Sequence, residues 1–143
     1  MEIEFSGIER RLDELVERLA RLRALQEEPR SAFDADPFLR DIAERNLEVA
    51  AQCCIDLANR IIALEHARKP IDYHDAILRM GELGVLSPES AQALAPIAGF
   101  RNALVHNYVS LDWDKVFANL QHLEELEHFS EAVHSWLRAR LER

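Results

Sequence analysis

Arg101, Asn102 and His106 occupy one short run of the chain, with Tyr108 two places beyond. An imidazole titrates near neutral pH, so it can take the proton of a ribose 2′-hydroxyl or return one to a leaving 5′-oxygen. A guanidinium offers a planar fork of donors to the non-bridging oxygens of a phosphate and to the charge that grows on them. Together they can cleave a phosphodiester without a metal, provided a 2′-hydroxyl is there to attack. That requirement points to RNA rather than DNA, with a cyclic phosphate and a free 5′-hydroxyl as products. Asn102, beside the imidazole, can fix its tautomer or hold the substrate.

The spacing dictates how such a site is assembled. On a helix, Asn102 and His106 are four apart, share a face and lie within hydrogen-bonding reach. Arg101 and His106 are five apart, about 140° round the axis and about 7.5 Å along it. They can flank a groove but do not touch easily within one chain. Arg101 and Tyr108 are seven apart and return to one face. Something facing this helix must complete the site, and a second copy across a two-fold axis is the economical choice, making a homodimer. Two histidines then supply acid and base, or one acts alone. The same residues also admit a purely structural reading. In it His106 meets the last carbonyls of a helix, Arg101 pairs with a carboxylate on a neighbouring helix, and Tyr108 buries its ring.

The elements that must carry this segment all read as helices. Ile8, Leu12, Leu15, Leu19 and Leu22 recur at helical intervals and predict a first helix over about Gly7 to Glu28. A break follows at Pro29–Asp34. Asp36-Pro37 supplies a cap and a first-turn proline for a helix over about 37–68, with a stripe at Leu39, Ile42, Asn46, Val49 or Ala50, Cys53, Leu57, Ile61 and Leu64, ended by Pro70. Asp72, with Asp75 three places on, caps a short amphipathic helix, which Gly81 and Gly84 break. Ser87-Pro88 starts another, which Pro96 bends or restarts before it runs on to about Asn107. One last helix is predicted from about Asp112 to Arg140, with Trp113, Val116, Leu120, Leu123, Leu126, Val133 and Leu137 on its inner face. No strand pattern, internal repeat or long linker appears. The expectation is an all-α, four-to-five-helix up-and-down bundle forming a single helical domain over residues 1–143.

Composition narrows the partners. The 143 residues are 48% hydrophobic and 30% charged, in the globular range and enough to bury roughly two-thirds of the extended surface. Net charge is −9, from 17 Lys+Arg against 26 Asp+Glu, which opposes broad, sequence-blind wrapping of nucleic acid but permits a small cleft lined by a few arginines. It also suits a basic protein partner. Cys53 and Cys54 are neighbours in an apolar helical stretch and read as small buried side chains, not a disulfide. No secretory leader and no membrane span is read, so the expected location is cytoplasmic.

The run Gly99-Phe-Arg-Asn-Ala-Leu-Val-His-Asn-Tyr108 resembles the signature of the HEPN superfamily, Arg followed by four residues, His, one residue and Tyr. In particular it is similar to the HepT-like ribonuclease toxin family. The similarity extends through Ala50-Ala-Gln-Cys-Cys-Ile-Asp-Leu-Ala-Asn59, Pro70-Ile-Asp-Tyr-His-Asp-Ala-Ile and Met80-Gly-Glu-Leu-Gly-Val-Leu, about residues 37–135 in all. The resemblance implies a HEPN-like helical domain that dimerises with both motifs in one cleft. It implies a metal-independent endoribonuclease that is the toxin of a pair whose antitoxin, a minimal nucleotidyltransferase, is a separate chain. By position, Arg101 and His106 become the catalytic pair, Asn102 the supporting polar residue, and Tyr108 the residue the antitoxin modifies with AMP, adding phosphate charge and bulk at the cleft. An alternative within the same family is a catalytically inactive HEPN-fold protein that binds a nucleotide or a nucleotidyltransferase partner.

Other residues carry paired readings. Asn46 on the second helix's stripe either reaches the cleft or fixes helix register as a buried amide. Asp56 orients His106, pairs with Arg101 or is simply an exposed carboxylate. His66 ends a helix where imidazole suits the dipole. His74 follows a cap, and His122, His128 and His134 form no set with metal-ligand spacing, so neither metal nor cofactor is expected. Trp113 and Trp136 read as packing anchors rather than base-stacking platforms. Without a glycine-rich phosphate loop, the chain is not itself a nucleotidyltransferase or an NTPase.

Overall fold

In the computed structural model, residues 5–106 and 111–142 are described. Among them every regular element is helical: α1 (Ser6–Gln26), α2 (Arg30–Ala35), α3 (Pro37–Leu64), α4 (Tyr73–Glu82), α5 (Pro88–Leu94), α6 (Ile97–His106), α7 (Trp113–Gln121) and α8 (Glu124–Leu141). The all-α expectation holds, but the four-to-five-helix bundle does not: seven helices of seven residues or more, plus the six-residue α2, make up the described chain. Three local events raise the number. Pro29, extended at φ −70° and ψ 157°, opens α2 where a plain break is expected. Pro96, which has no N–H to donate, separates α5 from α6. His122, at φ −123° and ψ 77°, ends α7, and α8 begins two residues later.

The expected helix starts are built as read. The Asp36 carboxylate accepts from the Phe38 N–H at 2.9 Å, with Pro37 in the first turn of α3. Asp72 accepts from the Asp75 N–H at 2.7 Å, and Ser87 from the Ser90 N–H at 3.1 Å. Asp75 answers by accepting from the Ile71 N–H at 3.0 Å, a bond that holds its carboxyl below the usual aspartate range, with Arg79 adding to the effect. His66 follows α3 at φ 56°, its N–H on the Ala63 carbonyl while the Ala67 N–H reaches the Ile62 carbonyl. That pair of bonds is the Schellman closure, here with a histidine in the left-handed position.

α1 packs chiefly along α3. Ile8, Leu12, Leu15, Leu19 and Leu22 are all buried there against Leu47, Ala50, Cys54, Leu57 and Ile61, each large side chain contributing about 1.5–3 kcal/mol by leaving water. Of the expected α3 stripe, Leu39 packs half-buried against the core but Ile42 is 50% exposed. Both thiols are free and buried; burial, with Glu14 and Asp56 nearby, pushes Cys53 up to about 11, and burial raises Cys54 well above the ordinary thiol range. A Cβ on Gly7 would meet only the end of the exposed Arg60 side chain, at 2.5 Å, which is free to swing aside. Asn46 takes the register role: its carbonyl accepts from Arg18 Nη1 at 3.1 Å and its amide donates to the Ile42 carbonyl at 2.8 Å. Trp113 packs on Phe33 and Trp136 on Phe5, so both act as anchors.

Buried Arg79 closes the α3–α4 connection. Its Nη1 donates to the Arg68 carbonyl, and its Nη2 to Asp75 at 3.3 Å. No helix among the described residues is long and apolar enough to cross a membrane.

Candidate active site

α6 carries the candidate residues, and its apolar positions decide where they point. Ile97, Ala98 and Leu104 are buried, and α6 packs on α3 and α4. Arg101 lies four after Ile97 and three before Leu104, so it shares their inward side and ends up half-buried at the α3 boundary. Asn102 and His106 are exposed, with His106 the last residue of the helix. Tyr108 falls outside the described residues.

Arg101 is held from three directions. Its Nε donates to Gln52 Oε1 of α3 at 2.7 Å, and its Nη1 to Asn102 Oδ1 at 3.1 Å. Its guanidinium carbon stands 5.7 Å from the centre of the Tyr73 ring at the start of α4, within cation–π range. Among the described residues no partner takes Nη2 or the second hydrogen of Nη1, which can turn to a phosphate. Behind Gln52 the polar chain continues: Gln52 Nε2 donates to Asp56 Oδ1 at 2.8 Å, and Asp56 Oδ2 pairs with Arg11 Nε at 3.2 Å. Asp56 thus reaches Arg101 only through Gln52.

Two grooves flank this cluster, Arg101 lining one and its partners Tyr73 and Asn102 the other. One, of about 420 Å³, runs between α1 and α3, where Arg10, Arg11 and Arg45 stand with Glu14 and Glu48. The overall negative charge is locally offset there, although Arg11 is paired with Asp56 and Arg45 with Glu48. The other, of about 450 Å³, is lined by Asp72, Tyr73, His74, Ala98, Gly99 and Asn102. A flat ring, an imidazole and an amide beside a guanidinium suit a nucleotide.

The structure therefore unites Arg101 with Asn102, where the sequence pairs Asn102 with His106, and adds Gln52 and Tyr73, which sequence reasoning missed. Asn102 bonds to Arg101 rather than to His106, and Arg101 and His106 make no hydrogen bond with each other. The one legible sign of Gln52 is its place four residues before Asp56 in the otherwise apolar stretch 49–58 of α3; Tyr73 is marked only as an aromatic directly after a cap. His74 lines the second groove, whereas His134 bonds the Ser130 carbonyl at 2.9 Å and His128 faces Glu125 at 3.7 Å, both apart from the site. Among the described residues, no group of three His, Cys, Asp or Glu is placed to hold a metal ion.

Comparison with known proteins gives consistent matches. Residues 8–133 match the family described as ribonuclease HepT-like. The tRNA nuclease HepT of Aphanizomenon flos-aquae is 31% identical over 97 residues, spanning 67% of this chain and 66% of that protein. The mRNA nuclease HepT of Shewanella oneidensis is 30% identical over 104 residues, 72% of this chain and 78% of that one. Among solved structures, a tri-AMPylated HEPN toxin of Shewanella oneidensis in complex with MNT antitoxin superposes with a TM-score of 0.81 at 25% identity, covering 94% of this chain and 99% of that one.

Proposed function

The chain belongs to the ribonuclease HepT-like family, and from that premise we propose that it is a metal-independent endoribonuclease, the toxin of a HEPN/MNT toxin–antitoxin pair, acting as one helical domain in the cytoplasm. The observation that carries the proposal is the hold on Arg101: a guanidinium fixed by Gln52 and Asn102 on the wall of a groove, with an exposed imidazole at the end of the same helix.

In the reaction, His106 takes the proton of a ribose 2′-hydroxyl. The 2′-oxygen then attacks the adjacent phosphorus, the bond to the 5′-oxygen breaks, and an imidazolium protonates that leaving oxygen. A cyclic phosphate and a 5′-hydroxyl result. Arg101 donates to the non-bridging oxygens as their charge rises, and Asn102 supports it. A homodimer, with α6 of each copy facing one cleft, supplies a second His106, so that one imidazole is base and the other acid. The relatives named as tRNA and mRNA nucleases support RNA as substrate. The AMPylated toxin solved with its antitoxin supports a separate nucleotidyltransferase partner. For this chain the acceptor we assign is Tyr108: its phenol oxygen attacks the α-phosphorus of ATP and pyrophosphate leaves.

The test is RNA cleavage by purified, unmodified protein beside Arg101→Ala and His106→Ala. Both substitutions are expected to abolish cleavage while preserving helicity and dimer. Equal activity in the variants, or a monomer that cleaves, overturns the proposal. RNA or nucleotide binding without cleavage by the unmodified wild type replaces it with the inactive binding reading.

A further inference from the structure

We propose that Gln52 is a positioning residue for the cleavage reaction, acting through Arg101 and itself oriented by Asp56; this rests on the ribonuclease reading above. A glutamine amide can face either way, presenting oxygen or nitrogen to a given neighbour. Here its direction is dictated. Asp56 accepts only, so the carboxylate Oδ1 at 2.8 Å requires Nε2 on its side, which leaves Oε1 toward Arg101 Nε at 2.7 Å. Arg11, 3.2 Å from the other Asp56 oxygen, holds that carboxylate in turn. Donation therefore converges on Asp56, from Arg11 on one side and from Arg101 through Gln52 on the other.

Gln52 and Asp56 are one helical turn apart on α3, the long helix whose inner face is core. Arg101 sits on the ten-residue α6, which follows Pro96 and leads toward the candidate phosphate site. The hydrogen bond thus ties a guanidinium on a short helix to the most deeply packed helix of the molecule. The Tyr73 ring at 5.7 Å limits movement on another side. A guanidinium without the Gln52 acceptor retains its charge but loses the direction of its fork, and a displacement of about 1 Å can cost a hundredfold in rate.

The proposal yields a polarity-exchange experiment. Gln52→Ala should lower kcat roughly ten- to a hundredfold with little change in KM. Gln52→Glu keeps an acceptor for Arg101 but sets a carboxylate against Asp56, and should also be impaired. Asp56→Asn added to Gln52→Glu supplies an amide donor to the new carboxylate and should restore most of the lost kcat. Hydrogen exchange at Arg101 Nε, followed by NMR in the same proteins, should quicken in Gln52→Ala and return toward wild type in the double variant. No recovery in the double variant, or Nε exchange indifferent to Gln52→Ala, overturns the proposal. If the wild-type protein cleaves no RNA, the ribonuclease reading falls, and the Nε exchange alone decides whether Gln52 holds Arg101.

Discussion

Asn102 Oδ1 accepts a hydrogen bond at 3.1 Å from Nη1 of Arg101, its immediate neighbour in the chain. Adjacent residues on a helix diverge by about 100°, so the long arginine side chain must turn back along α6 to meet the shorter amide. The asparagine expected to steady the imidazole steadies the guanidinium instead, and His106 is left exposed.

In the proposed mechanism Arg101 serves Gln52, Asn102 and a phosphate at once, so lysine should not replace it. An ammonium is a single point of donors and cannot reproduce the planar fork. Arg101→Lys is expected to lower kcat/KM by about a hundredfold or more, measured on a fluorogenic RNA. Near-normal turnover would show that charge alone suffices.

The Tyr73 ring offers its face rather than its hydroxyl to Arg101. Tyr73→Phe should therefore bind RNA within about twofold of wild type. Tyr73→Ala should bind it roughly two- to fivefold more weakly, the equivalent of about 0.5–1 kcal/mol for an exposed cation–π contact. Equal losses in the two variants, read by fluorescence anisotropy, would assign the role to the hydroxyl.

Asn46 is buried between α1 and α3, away from the grooves, and its substitution should affect stability. Asn46→Ala strips Arg18 Nη1 of its acceptor and the Ile42 carbonyl of a donor. Urea unfolding should register a loss of about 1–3 kcal/mol. A loss below about 0.5 kcal/mol would mean that water replaces the amide at no cost.

Asp75 gives a pH prediction with a definite sign. Its folded-state carboxyl is held low, first by the Ile71 N–H and then by Arg79. Its contribution to stability is therefore present above the unfolded aspartate value and is lost as pH falls through the lower, folded one. Wild type should exceed Asp75→Asn in stability near neutrality, and the gap should close in denaturation series taken down through the carboxylate range. A gap that stays constant would remove the linkage.

What was legible in the sequence was local. The caps at Asp36, Asp72 and Ser87 depend on residues two or three places apart and could be read directly. The break between α7 and α8 could not, because Leu120, Leu123 and Leu126 keep a helical period straight through it and all three are buried. α2 was hidden for a different reason: six residues are too few to establish a period, and Pro29 signals a stop as readily as a start. At the site, Arg101, Asn102 and His106 declare themselves within one turn or so of helix. Gln52 lies 49 positions from Arg101, and only the packing of α6 on α3 brings them together.

Arg79 has a reach beyond its own turn. It is buried within α4 and tethers the incoming strand of backbone at Arg68, while the same helix starts with Tyr73. The tilt of the aromatic plate under Arg101 is thus inherited from an anchorage more than a turn downstream. Arg79→Leu should blur the Tyr73 ring resonances although no groove residue has been touched, and sharp, unshifted resonances would refute it. A lesion that looks like ordinary loss of solidity would then register as misalignment at the rim of the candidate site.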